Sequence, residues 1–98
     1  MADPIETAIV RAMISVAGRV QGVGYRAFTV RVASSRGLQG TVRNLDDGGV
    51  ELEVEGLKTR IDSLIEDLKA GPPASRVSTV KVEWGTATGR FVDFRVRY

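Results

Sequence analysis

Ninety-eight residues are enough for one domain with a modest core that folds without covalent staples. The chain has no cysteine and no histidine, which removes disulfide frameworks, thiolate zinc sites, the usual catalytic triads and the commonest general base. Fourteen basic and twelve acidic side chains leave a formal charge of +2, too small an excess to argue for nucleic acid or an acidic membrane surface as a partner.

The start, Met1 to Thr7, lacks the basic region and apolar block of a signal peptide. No apolar run approaches membrane-spanning length. A cytoplasmic, monomeric protein is expected, with a frayed start over 1–8 and a single domain over 9–98. Residues 9 to 20 read as a strand, because Val10, Ala12, Ile14, Val16 and Val20 take alternate positions with Arg11, Ser15 and Arg19 between them.

The segment Gly18-Arg19-Val20-Gln21-Gly22-Val23-Gly24-Tyr25-Arg26 follows. Its glycines reach backbone angles closed to other residues, so the loop can curl until several N–H groups point inward. A helix is predicted over 25–36, stopped by Gly37. The unpaired N–H groups and partial positive charge of that helix start suit a phosphate-sized anion. Arg26 in its first turn adds a two-pronged grip.

Residues 38 to 44 form the second predicted strand, and Asp46-Asp47-Gly48-Gly49 a hairpin turn. Residues 50 to 55 alternate, with Val50, Leu52 and Val54 inward and Glu51, Glu53 and Glu55 outward. That acidic row is expected to be a solvated sheet face, paired across strands with residues such as Arg43. Leu57, Ile61, Leu64, Ile65 and Leu68 recur at helical spacing, predicting a helix over 57–70 that ends at Gly71-Pro72-Pro73. Strands over 77–84 and 91–97 are predicted around a Gly85 to Gly89 turn, with Trp84, Phe91 and Phe94 as core or edge packing near that last hairpin. Arg76, Lys81, Arg95 and Arg97 read as surface charges.

The order is β-α-β-β-α-β plus a short C-terminal strand. That is an α+β, ferredoxin-like split β-α-β sandwich, with two helices packed on one face of a mainly antiparallel sheet. In this plan the first and second strands run parallel, so their C-terminal ends share one end of the sheet. Asn44, at the end of the second strand, is thereby brought beside the anion-binding loop. Its carboxamide can both donate and accept hydrogen bonds.

Over roughly residues 12 to 98 the chain resembles the acylphosphatase family. The resemblance rests on Gly18 to Arg26, on Gly40-Thr41-Val42-Arg43-Asn44-Leu45-Asp46-Asp47-Gly48, and on Gly71-Pro72-Pro73 before the fourth strand. It implies hydrolysis of acyl phosphates without metal or cofactor, with inorganic phosphate as product or inhibitor. It also implies that the backbone amides of Gln21, Gly22, Val23, Gly24, Tyr25 and Arg26 bind the phosphate together with the Arg26 side chain, and that Asn44 orients the attacking water. This sequence departs from the family at a few positions. Tyr25 stands where phenylalanine is common, Thr41 where an aromatic is frequent, Arg36 where an apolar residue is usual, and Val30 and Val32 where polar residues are common.

The chemistry is consistent with the residue inventory. An acyl phosphate has a carboxylate leaving group, stable unprotonated near neutral pH, so no general acid is required. Phosphoryl transfer passes through a loose, charge-rich state in which positioning and electrostatic stabilisation dominate. Alkyl phosphate esters, which need a protonated leaving group or a metal, are expected to be poor substrates.

Other readings carry less. Gly22-x-Gly24-x-x-Ala27 matches a relaxed dinucleotide fingerprint, but the chain lacks the second half of a doubly wound fold. Asn44, Asp46, Gly49 and Glu55 echo calcium-loop spacing, yet residues 50 to 55 alternate as a strand. Gly89 to Phe94 faintly resembles an RNA-recognition strand, but the third strand offers no outward aromatic for stacking. A ferredoxin-like module that binds a small anion or RNA without catalysis stands as the alternative. A final expectation places the Tyr98 carboxylate against Arg26.

Overall fold

The protein's structure, a computed structural model, describes residues 8–98. The elements are β1 (Ile9–Arg19), α1 (Tyr25–Ser35), β2 (Gln39–Asn44), β3 (Val50–Leu57), α2 (Lys58–Ala70), β4 (Arg76–Thr86) and β5 (Phe94–Val96). They form one five-stranded sheet in the order β4-β1-β3-β2-β5. Every pairing is antiparallel except that of β2 with β5. This is the ferredoxin-like α+β plan expected from the element order. The expected frayed start lies outside the described residues, except for Ala8, whose carbonyl accepts from the Lys58 N–H at 3.2 Å.

One sheet face carries the core. Ala12, Ile14 and Val16 from β1, Val42 from β2, and Val50, Leu52 and Val54 from β3 are all buried there. Tyr25 and Ala33 of α1 and Ile61, Leu64 and Leu68 of α2 close over them. Burying one such aliphatic side chain is worth about 1.5–3 kcal/mol relative to leaving it in water. The period-2 and period-3.6 patterns of the sequence therefore converge on one layer. Val30 and Val32, which stand where polar residues are common in the resembled family, pack partly buried against the same core.

The register of β1 against β4 shifts between Ala17 and Gly18, where Ser78 is the extra residue on β4. Gly18 sits at φ 127°, and a Cβ there would lie 2.1 Å from the Arg76 carbonyl oxygen. The close approach of the two backbones requires glycine at this position.

Three expectations need correction. Leu57 does not open the second helix. It pairs with Ile9 and stands extended, at φ −64° and ψ 132°, as the last residue of β3 before α2 begins at Lys58. Second, Gly85 to Gly89 is not a hairpin turn. β4 lies on one edge of the sheet beside β1, and β5 lies on the other edge, parallel to β2 with Gly40 opposite Phe94 and Val42 opposite Val96. The chain from 87 to 93 crosses the outer face of the sheet to join them. Trp84, on the edge strand β4, takes the edge position of the two expected for it: it is 43% exposed, with Lys58 Nζ 4.7 Å from its ring centroid. Phe94 is buried.

Third, the acidic row is not a solvated face throughout. Glu51 pairs across the ladder with Arg43 at 2.9 Å, as expected. Glu53 and Glu55 are buried beneath the crossing segment. Glu53 accepts from Arg11 Nε at 2.7 Å and from Arg90. Glu55 accepts from the Thr88 N–H (2.9 Å), the Thr88 hydroxyl (2.7 Å) and the Gly89 N–H (2.9 Å). Alternation identified the side of the sheet these carboxylates occupy. It carried no information on what covers them.

Candidate functional site

β1 and β2 flank β3 and both run antiparallel to it, so they are parallel to each other. Their C-terminal ends meet at one end of the sheet. The segment Val20 to Gly24 leaves β1 there and delivers the chain into α1.

Side chains fasten this loop while its backbone stays free. Val20 and Tyr25 are buried and Val23 packs partly buried on the core. Gly22 and Gly24 between them have φ of 73° and 78°. Nothing lies within 4 Å of where a Cβ would stand at either, so glycine is needed for backbone angle and not for space. Gly24 is the left-handed N-cap of α1, and the helix has neither a side-chain cap nor an acidic residue in its first turn. Among the described residues, no carbonyl or side chain accepts from the N–H groups of Gln21 to Arg26; the first bond back onto the loop is from Phe28 N to Gly24 O at 3.0 Å. Six consecutive donors and the positive end of a helix are left for something outside the fold.

Tyr25 shows how the loop is anchored. Its hydroxyl donates to the Leu68 carbonyl at 2.7 Å, one of the last four carbonyls of α2 and so without a partner in its own helix. Burial pushes this phenol well above its ordinary range, so it is a neutral donor at any working pH. Thr29 closes the same turn through a 2.8 Å bond to the Tyr25 carbonyl.

A cleft of ≈ 240 Å³ opens on this end of the molecule. Gly22, Gly24, Tyr25 and Arg26 line one side, Asn44 another, and Val96 and Tyr98 the third. The structure thus brings Gly22, Gly24, Tyr25, Arg26 and Asn44 to one cleft, while Gln21 and Val23 of the same amide run do not line it. Among the described residues no carboxylate pairs with Arg26, and the Asn44 side chain makes no hydrogen bond. Asn44 is exposed at the last residue of β2, opposite Val50. Both groups are free for a ligand.

The expected approach of Tyr98 to Arg26 exists in a different form. The guanidinium carbon lies 5.4 Å from the centroid of the Tyr98 ring, a cation–π interaction in place of the ion pair expected with the carboxylate. Tyr98 as a whole is exposed and lines the cleft. Two features of the site were not read from sequence. The wall formed by Val96 and Tyr98 depends on the parallel pairing of β5 with β2, which no local pattern encodes. The side chain of Gln21, read only as part of the amide run, reaches away from the cleft to Leu45 and Gly49.

A second recess, ≈ 230 Å³, lies behind the β2–β3 hairpin, where Ser15 and Ala17 meet Lys81 and Thr79 across the β1–β4 ladder. It shares no lining residue with the cleft and holds none of the free amides. Among the described residues no group of three carboxylate, thiol or imidazole side chains is arranged to hold a metal ion, and no helix is long and apolar enough to cross a membrane.

Comparison with known proteins identifies relatives of the chain by sequence and by fold. The family profile described as Acylphosphatase covers residues 12–96. An acylphosphatase of Salinibacter ruber is 48% identical over 87 residues, spanning 89% of this chain and 92% of that protein. The crystal structure of acylphosphatase from Bacillus subtilis superposes with a TM-score of 0.88 at 38% identity, covering 91% of this chain and 99% of that one. An acylphosphatase structure from Coxiella burnetii gives a TM-score of 0.85 at 38% identity, covering 91% and 93%.

Proposed function

The chain belongs to the acylphosphatase family and hydrolyses acyl phosphates, and we propose that it does so in the cleft between α1 and the end of β2. In this reading the N–H groups of Gln21 to Arg26 and the Arg26 guanidinium hold the phosphoryl oxygens. Asn44 holds a water in line with the carboxylate leaving group. The single observation that carries the reading is the shared cleft: Gly22, Gly24, Tyr25 and Arg26, four residues of the run of unpartnered amides and among them an arginine without an acidic partner, line the same space as Asn44.

The division of labour follows from charge. Negative charge is present on the phosphoryl oxygens before and during the reaction, so fixed donors aimed at them stabilise without reorganising. The leaving carboxylate departs unprotonated, so the absence of histidine costs nothing. Asn44 can accept from the attacking water and thereby orient it. A substrate oxygen is then close enough to take the proton, and no phosphoenzyme is formed. Inorganic phosphate, the product, presents the same oxygens to the same donors and inhibits. The reaction requires no metal and no cofactor, and the protein acts as a cytoplasmic monomer with no nucleic-acid partner.

Hydrolysis of benzoyl phosphate in EDTA tests the reading directly. Full activity with chelator is expected. Asn44→Ala should leave phosphate inhibition intact while kcat falls, by about 3–4 kcal/mol of barrier if it resembles the loss of an oxyanion donor. Near-normal turnover in Asn44→Ala would remove Asn44 from the mechanism. The competing reading, a module that binds a small anion or RNA without turnover, is not favoured by the relatives; phosphate binding without hydrolysis would restore it.

A further inference from the structure

The Gln21 side chain is committed within the protein. Its Nε2 donates to the Leu45 carbonyl at 2.7 Å and to the Gly49 carbonyl at 2.8 Å, using both of its hydrogens. Leu45 and Gly49 form the neck of the β2–β3 hairpin. Leu45 N donates to Gly49 O at 2.9 Å and Gly48 N to Leu45 O at 3.2 Å. The neck is therefore closed without Gln21, and Gln21 takes the second lone pair of each carbonyl. These extra bonds do not make the hairpin. They fix where it sits.

What they fix it to is the phosphate loop. Gln21 is the first residue of the run of free amides, and Leu45 directly follows Asn44. We propose that Gln21 is a positioning residue for the reaction: its carboxamide sets the separation between the phosphate cradle and Asn44. The proposal rests on the assignment of Asn44 as the group that aims the water. Along the chain, Gln21 and Leu45 stand 24 positions apart. The loop joins the end of β1 to α1, and Asn44 ends β2 two strands away across β3. Between the loop and the hairpin neck, behind the cleft, the Gln21 amide is a direct bolt. In-line attack depends on that spacing, since displacing a reacting group by about 1 Å can cost on the order of 10²-fold in rate.

Two variants test this. Gln21→Ala removes the bolt. Gln21→Met keeps its length and bulk without a donor, and decides the matter if the alanine variant loses its fold. Each is assayed with benzoyl phosphate for kcat and with inorganic phosphate for inhibition, alone and combined with Asn44→Ala. The expected result is a kcat lowered about 10- to 100-fold with phosphate inhibition unchanged, and no further loss in the Asn44→Ala background, because there is no longer an aimed water to misplace. Three results overturn the proposal: kcat is retained, phosphate inhibition weakens in step with kcat, or the Gln21 factor repeats in full on top of Asn44→Ala. If Asn44→Ala alone keeps full turnover, the role of Asn44 fails and the proposal fails with it. A repeated factor on a crippled Asn44→Ala enzyme sinks the proposal alone.

Discussion

The molecule builds an oxyanion cradle twice. Beneath the segment that crosses the sheet, the N–H groups of Thr88 and Gly89 and the Thr88 hydroxyl converge on the Glu55 carboxylate. At the cleft, the N–H groups of Gln21 to Arg26 converge on nothing within the described residues. The backbone devices are alike: Gly89 has φ 72°, Gly22 73° and Gly24 78°. A basic residue accompanies each, Arg90 after one and Arg26 within the other. The difference is the origin of the anion. Glu55 is part of the chain, 4% exposed, and its donors are satisfied whenever the protein is folded. In the proposed site, the cleft recruits its anion from solution. The first cradle therefore contributes to stability and the second, under the proposed assignment, to function, and substitutions in the two should separate cleanly along that line.

The largest effect is expected at Arg26. Arg26→Ala should raise the barrier for benzoyl phosphate hydrolysis by about 3–4 kcal/mol, as deletion of one aimed donor does elsewhere, and should weaken inhibition by phosphate as well. No carboxylate is orphaned by the change, since none among the described residues pairs with Arg26. The Tyr98 ring gives up the cation beside it, an interaction worth about 0.5–1 kcal/mol at an exposed site. Chemical denaturation should place the variant close to the parent. A large loss of stability would mean that the open cradle also holds the fold together, and the contrast would break.

Glu55 should behave oppositely. Glu55→Gln turns one acceptor oxygen into a donor facing N–H groups, costing about 1.5–3 kcal/mol through the charged hydrogen bonds it removes. Turnover should be unchanged. The pH dependence sharpens the point. Burial alone pushes the Glu55 carboxyl up, but the bonds from Thr88 and Gly89, with the nearby Arg90 charge, outweigh it and hold the group below its ordinary value. A carboxyl depressed in the folded state stabilises fully above its unfolded pKa, about 4.3. That stability is lost as the pH falls through the lower folded value. Urea midpoints of parent and Glu55→Gln should therefore differ most near neutrality and converge in acid. A constant difference across that range would show that Glu55 acts through packing and not through its charge.

These two cradles also mark what can be read from the sequence. Gly22, Gly24 and Arg26 lie within six residues of each other, so the open cradle is a local feature that glycine spacing and a helix start reveal. The position of Asn44 followed from one non-local rule, the handedness of the crossover. The filled cradle joins residues 33 and 34 positions apart, and depends on the crossing from β4 to β5. Nothing in the alternation of Glu51, Glu53 and Glu55 distinguishes the carboxylate that faces water and Arg43 from the two that are covered. Gln21 was hidden for a related reason: a glutamine in a glycine-rich loop reads as polar filler until the hairpin it grips has been placed. Leu57 was misassigned because its apolar spacing suits a helix equally well, while its pairing with Ile9 reaches across the sheet.

The smallest effect, and the finest test of the comparison, comes from one substitution made in both cradles. Gly24→Ala and Gly89→Ala each place a Cβ at positive φ with nothing within 4 Å of it. Crowding is thus removed from the comparison, and what remains is the cost of a left-handed residue, about 1–2 kcal/mol. Both variants should lose stability by similar amounts, because the same strain is introduced. Only Gly24→Ala should weaken phosphate inhibition, since relief of the strain rotates N–H groups away from a ligand that has to be won from solvent. At Gly89 the same rotation acts on a bond to a tethered carboxylate, and the loss appears in the unfolding curve alone. Equal weakening of phosphate inhibition in the two variants would mean that the crossing segment and the cleft move together, through β5 and the wall it gives the cleft, and that the two cradles are one coupled unit.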